Sequence, residues 1–168
     1  MNLRNHTFNP ELDLLLERTV DVPVEKVWRA WTDPEQMVKW FCPRPWKTVH
    51  IKMELYPGGA FDSVMESPEG QQFPGNGCIL EVIENRRLTW TSTMSRDFRP
   101  NVPDKETCGE GMFFTATITL EAVPGGTKYT ALAIHGNPVD CKNHADMGFE
   151  QGWGTCLDQL VEMIKSEG

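Results

Sequence analysis

Four histidines and two strand-spaced pairs are the residues of this chain best suited to moving protons. The histidines are His6, His50, His135 and His144. His50 and Glu54 stand four apart, as do Asp62 and Glu66. With a side-chain period of two, the members of each pair share a strand face, and a carboxylate near an imidazole can act as a general base. The same alternation sets them, and His135 with them, opposite Val49, Ile51, Met53, Phe61 and Met65, which points them to solvent. HExxH, GxGxxG, GxxxxGK[ST] and GxSxG are all absent. No catalytic residue, metal ligand or cofactor is assigned from these patterns. The five cysteines (Cys42, Cys78, Cys108, Cys141 and Cys156) are odd in number and include no CxxC pair. That spacing fits neither a disulfide framework nor a structural zinc site; reduced thiols, some of them core fillers, fit better.

The aromatic residues offer more. Trp28, Trp31, Trp40, Trp90, Phe114, Phe149 and Trp153 fall at helix and strand spacings that bury them. Rigid apolar walls with few polar groups suit a hydrophobic ligand, and Met94, Met112, Met147 and Met163 would make such walls adaptable. The candidate lining is Trp28, Trp40, Trp90, Met94, Met112, Phe114, Phe149, Trp153 and Leu157. The polar stretch 95–110 is long enough to act as a lid. Its Arg96 and Arg99 are either solvated or placed to meet an anionic head.

These side chains need elements to hold them. Residues 12–22 read as a strand ended by Pro23. Val24, Val27, Trp28 and Trp31 then form one helical stripe. Asp33-Pro34-Glu35-Gln36 reads as the start of a second short helix that stops before Pro43. From Trp46 the period changes to two. Strands are expected near 46–55, 60–66, 77–83, 87–94, 113–122 and 128–135, joined by turns such as Pro57-Gly58-Gly59 and Pro124-Gly125-Gly126. A final helix is expected over 144–166, capped by Asn143, with Trp153, Leu157, Leu160, Val161 and Ile164 on one side. Gly148, Gly152 and Gly154 in its first half imply either close backbone approach or room for a ligand or a bend. The expected fold is α+β: a curved, seven-stranded antiparallel sheet, two short helices after the first strand, and a long C-terminal helix across the concave face.

At 168 residues the chain is of one-domain size, about 100–200 residues. Sixteen basic against 24 acidic residues give a net charge of −8. Such a surface repels phosphate backbones and anionic lipid, which argues against nucleic-acid and membrane partners. No apolar run reaches the length of a membrane span, and residues 1–10 lack the apolar centre of a signal peptide, so a cytoplasmic location is expected.

The stretches PVEKVWRAWTDPEQMVKWF, YPGGAFDSVM, GNGCILEVIENRRLTWTSTM and GFEQGWGTCLDQLVEMI carry a resemblance. In them the chain resembles the START-like (SRPBCC) superfamily, with its helix-grip fold, and within it the AHSA1-like family named for the activator of Hsp90 ATPase. The resemblance runs from about residue 11 to 165 and implies one domain. It brings no universal catalytic residue, because these domains serve as ligand carriers, cyclases and co-chaperones. The expectation is binding of a small apolar or amphipathic molecule between the last helix and the sheet. A co-chaperone-like interaction module in stress response and a small cyclase or hydrolase are the alternatives. The eukaryotic Hsp90 activators carry a further N-terminal domain that makes much of the chaperone contact. A chain of 168 residues leaves no room for it, which argues against an Hsp90-type partner. A homodimer through an exposed strand edge stays open.

Overall fold

The computed structural model describes residues 6–102 and 113–167. Strand β1 (Asp13–Val20) leads through Pro23 into helix α1 (Val24–Thr32), whose buried face is Val27, Ala30 and Trp31. Asp33 closes α1 and caps α2 (Pro34–Met37), its side chain accepting from the Glu35 backbone N–H at 3.0 Å with Pro34 in the first turn. Helix α2 is one turn long, shorter than its apolar pattern suggests. Trp40 and Phe41 follow in turns that keep Trp40 buried.

Next come β2 (Lys47–Met53), β3 (Phe61–Glu66), β4 (Gln72–Gly75), β5 (Cys78–Ile83) and β6 (Arg87–Thr91). A two-stranded ribbon, β7 (Met94–Ser95) with β8 (Arg99–Pro100), precedes β9 (Phe114–Val123) and β10 (Gly126–His135). All seven expected strands are present, but they do not form one continuous sheet. Five order as β1-β10-β9-β6-β5 and three as β2-β3-β4, joined by a bridge between Ala60 and Cys78. The cause is β4, a short strand in a segment without strand patterning. It pairs with β3 along Ser63–Glu66 and leaves only the start of that edge for β5. All pairings are antiparallel.

The apolar face of the larger sheet is built in rows. One runs Leu14, Ala133, Ala116, Trp90 and Ile79 across the five strands; the next runs Leu16, Ala131, Ile118 and Leu88. Three alanines in these rows keep the middle of the face low, and the large side chains stand around it. In β2 a register shift between Thr48 and His50 breaks strict alternation. Thr48 and Ile51 turn inward while Val49, expected inside, is 39% exposed. Thr48 uses the position to donate its hydroxyl to the Phe41 carbonyl.

The expected terminal helix is two helices. Asn137, not Asn143, caps the first, α3 (Pro138–Asp146), accepting from the Asp140 N–H at 2.9 Å. Gly148 then takes φ +91°, a left-handed conformation that ends helices and costs a residue with a Cβ about 1–2 kcal/mol. Helix α4 (Phe149–Glu167) restarts at once and crosses to α1 and β1. Leu157, Leu160, Met163 and Ile164 bury its C-terminal half, each stabilising by about 1.5–3 kcal/mol. Four exposed ion pairs, Arg18–Asp158, Lys39–Glu167, Arg44–Glu162 and Lys165–Asp21, flank it. Exposed pairs contribute little, so apolar burial decides where α4 lies.

One buried polar side chain ties α4 to the segment after α2. The Gln159 amide donates to the carbonyls of Trp40 (3.0 Å) and Cys42 (2.8 Å) and accepts from the Arg44 N–H (3.0 Å). Gln159→Met keeps the volume and strands these groups. It is expected to lower unfolding free energy by about 1–3 kcal/mol, measured by urea titration at unchanged m-value.

Candidate functional site

Between α4, the end of α3 and the sheet lies a cavity of about 240 Å³. Its floor is Trp90 and Tyr129 from the sheet, with Phe114 at the end of β9. Trp31, Trp40, Phe41, Cys42 and Pro43 close one side, and Met65 reaches in from β3. The helical side is His144, Met147, Gly148, Phe149, Gly152, Trp153 and Cys156. Met147 is exposed and marks the mouth.

The aromatic walls brace one another. Trp31 meets Trp40 edge-on with centroids 4.8 Å apart and tilts against Trp90 at 5.1 Å. Trp90 and Trp153 lie nearly parallel at 6.3 Å, and Phe149 leans on Trp153 at 4.9 Å. Such contacts add about 0.5–1.5 kcal/mol each beyond burial and fix the rings. Two of their indole N–H groups are satisfied inside the wall: Trp40 Nε1 donates to the Ala30 carbonyl (3.0 Å) and Trp31 Nε1 to the Tyr129 hydroxyl (3.2 Å).

The three glycines divide the work. Gly148 makes the bend. Gly154 allows close approach, since a Cβ there would come within 2.5 Å of the Arg18 guanidinium. Gly152 faces open space, with nothing within 4 Å of a Cβ. The hollow exists in part because α4 carries no side chain at Gly152, between the rings of Phe149 and Trp153.

The titratable groups lining the cavity are held uncharged. Burial drives the Tyr129 hydroxyl well above its ordinary pKa and raises the Cys42 thiol; the Cys156 thiol is pushed up to about 12 by burial and by nearby Cys42. His144 is pushed down to about 4, first by burial and then by neighbouring His135. Its ring is 7% exposed and bonded through Nδ1 to His135 Nε2 at 2.8 Å.

Five candidate lining residues stand in the wall: Trp40, Trp90, Phe114, Phe149 and Trp153. Three do not. Trp28 is half-buried against the core, Met94 lies in the β7–β8 ribbon, and Leu157 is buried in the core on α4. Met112 and the second half of the proposed lid, 103–110, lie outside the described residues. The acid–base candidates divide. His50 is exposed, Glu66 pairs with Lys47 and Glu54 with Arg96, and none of these, nor Asp62, lines the cavity. His135, expected at the surface, is buried. Alternation within β10 carried the signal: His135 shares a face with Tyr129, Ala131 and Ala133. The same alternation could have placed Tyr129; His144, the partner of His135, and Cys156 have no local pattern that reveals them.

Among the described residues no helix is long and apolar enough to cross a membrane, and no three His, Cys, Asp or Glu gather to hold a metal ion. A second depression, of about 890 Å³, runs beside the β5–β6 turn and is rimmed by Glu25, Glu84, Arg86, Arg87 and Glu121. It has no aromatic wall.

The model of the family described as activator of Hsp90 ATPase homolog 1-like protein matches residues 21–165. The chain belongs to this family. Solved structures share its fold. A crystal structure from Nitrosomonas europaea is 46% identical, with a TM-score of 0.89 over 95% of this chain and 98% of that one. A Mycobacterium smegmatis protein is 24% identical (TM-score 0.72, 91% and 90% covered). The AHSA1-like protein of Aeromonas hydrophila is 20% identical (TM-score 0.66, 94% of each chain). The last two show the fold alone. No curated protein matches the chain.

The cavity makes stability depend on pH. Below its ordinary pKa of 6.5 His144 takes a proton in the unfolded chain, whereas the folded ring stays neutral to about 4. Its contribution is full above pH 6.5 and is lost as pH falls through that window. The unfolding free energy of the native chain is expected to drop about 2 kcal/mol more between pH 7 and 4.5 than that of His144→Phe, measured by denaturant titration.

Proposed function

We propose that this family member binds a small, apolar, uncharged molecule in the cavity between α4 and the sheet, acting as one domain and without a defined reaction. The observation that carries the reading is the combination of aromatic walls with titratable groups that are all held neutral. An ion placed there would lose its hydration and gain no counter-charge, a cost of many kcal/mol. An apolar ligand loses nothing of that kind and removes its own surface from water at about 25 cal/mol per Å². At about 240 Å³ the space lies just under the usual range for ligand sites, roughly 300–1,000 Å³. That favours a compact molecule such as a one- or two-ring compound over a long lipid chain.

Gly152 supplies the test. A side chain there enters open space, so Gly152→Leu is expected to fill the cavity without displacing its walls. Replacing a helical glycine also favours the helix by up to about 1 kcal/mol. The native chain with naphthalene at a hundred times its Kd is expected to gain about 2.7 kcal/mol of stability, read as a rise in Tm. The Gly152→Leu chain is expected to start with an equal or higher Tm and to show no rise. A rise of equal size in the variant would put the ligand elsewhere; no rise in either would remove the proposal for aromatic ligands.

A further inference from the structure

The two buried histidines form a chain of hydrogen bonds whose direction is set at one end. The Leu12 carbonyl oxygen can only accept, and it receives the His135 backbone N–H at 2.9 Å and His135 Nδ1 at 2.8 Å. Nδ1 of His135 therefore carries its proton. In a neutral ring this leaves Nε2 bare, an acceptor only. Nε2 lies 2.8 Å from His144 Nδ1, which must be the donor. A neutral His144 with its proton on Nδ1 then has a bare Nε2, and among the described residues nothing bonds to it.

Charge reinforces this direction. The reverse order would need a doubly protonated His135, a buried cation. The nearest buried carboxylate, Asp13 on β1, is already engaged by His6 Nε2 (2.8 Å) and the Asn9 N–H (2.9 Å). The other titratable groups around the pair are Cys141 on α3 and, on the cavity wall, Tyr129, Cys42 and Cys156, none of which brings an ionised acid. The ring of His144 is also fixed in place, with Phe114 at 4.7 Å, Phe149 at 5.3 Å and Trp153 at 6.3 Å between centroids.

We propose that His144 Nε2 is the polar anchor of the cavity, an acceptor held in one tautomer by His135 and the Leu12 carbonyl, and that the ligand is an apolar molecule bearing a hydroxyl or N–H donor. This rests on the cavity reading above and adds the chemical group the site selects. His135 is the positioning residue: it never meets the ligand but decides which nitrogen of His144 is bare. A site of this kind discriminates well, because a ligand without the donor leaves a desolvated acceptor unpaired.

The test compares 2-naphthol with 2-fluoronaphthalene, equal in shape but unable to donate, by titration calorimetry on the full chain. The native protein is expected to bind 2-naphthol at least tenfold more tightly. His144→Phe is expected to bind 2-fluoronaphthalene within about threefold of the native value and to lose the preference. Equal native affinities overturn the anchor and leave the cavity reading standing; binding of neither compound removes both. A ligand-free measurement keeps the proposal open to refutation should the variant not fold. Imidazole 15N spectra of the native chain at pH 7 are expected to show both His135 and His144 protonated on Nδ1. A proton on His144 Nε2 would overturn the proposal.

Discussion

The apolar concave face of the sheet must be covered, and α4 is the element that covers it, with close-packed aliphatic side chains over one half and rings spaced by glycine over the other. From Leu157 onward its aliphatic residues fill the space down to the sheet. Before that point Gly148 turns the chain and Gly152 leaves a gap in a wall of rings that includes Trp90, Phe149 and Trp153. Close packing is the rule in protein interiors, and a hollow persists only where rigid walls cannot collapse into it. Here the walls are interlocked rings, whose mutual contacts hold them apart.

The same desolvation that makes those walls stable governs the polar atoms among them. Tyr129, Cys42, Cys156 and His144 all shift toward their uncharged forms. That environment opposes a charge in the cavity and suits the neutral ligand proposed above. The histidine pair sits in the same surroundings, His144 bonded to His135 and His135 to the Leu12 carbonyl.

Much of this architecture was legible in the amino-acid order because it rests on local periodicity. The stripe from Val24 to Trp31, the Asp33-Pro34 cap and the alternation in β9 and β10 each report a face that must be buried. The errors have physical causes too. The register shift after Thr48 moves Val49 outward, and β4 takes an edge that would otherwise continue the sheet. Gly148 splits what periodicity joins, since a stripe of apolar residues cannot tell a bent helix from a straight one. Five of the nine expected wall residues line the cavity, all aromatic and set by strand or helix phase. Cys156 and His144 join them only through tertiary contacts among α3, α4 and the sheet. No single segment encodes that meeting.

The six tryptophans give the most direct measurement of where a ligand goes. Four, Trp31, Trp40, Trp90 and Trp153, line the cavity; Trp28 and Trp46 do not. In a 1H–15N spectrum each indole N–H is a separate reporter. Titration with a small aromatic compound is predicted to move the four cavity indole signals together and to leave those of Trp28 and Trp46 in place. Movement confined to Trp28 or Trp46, or no movement at saturating ligand, would contradict the account.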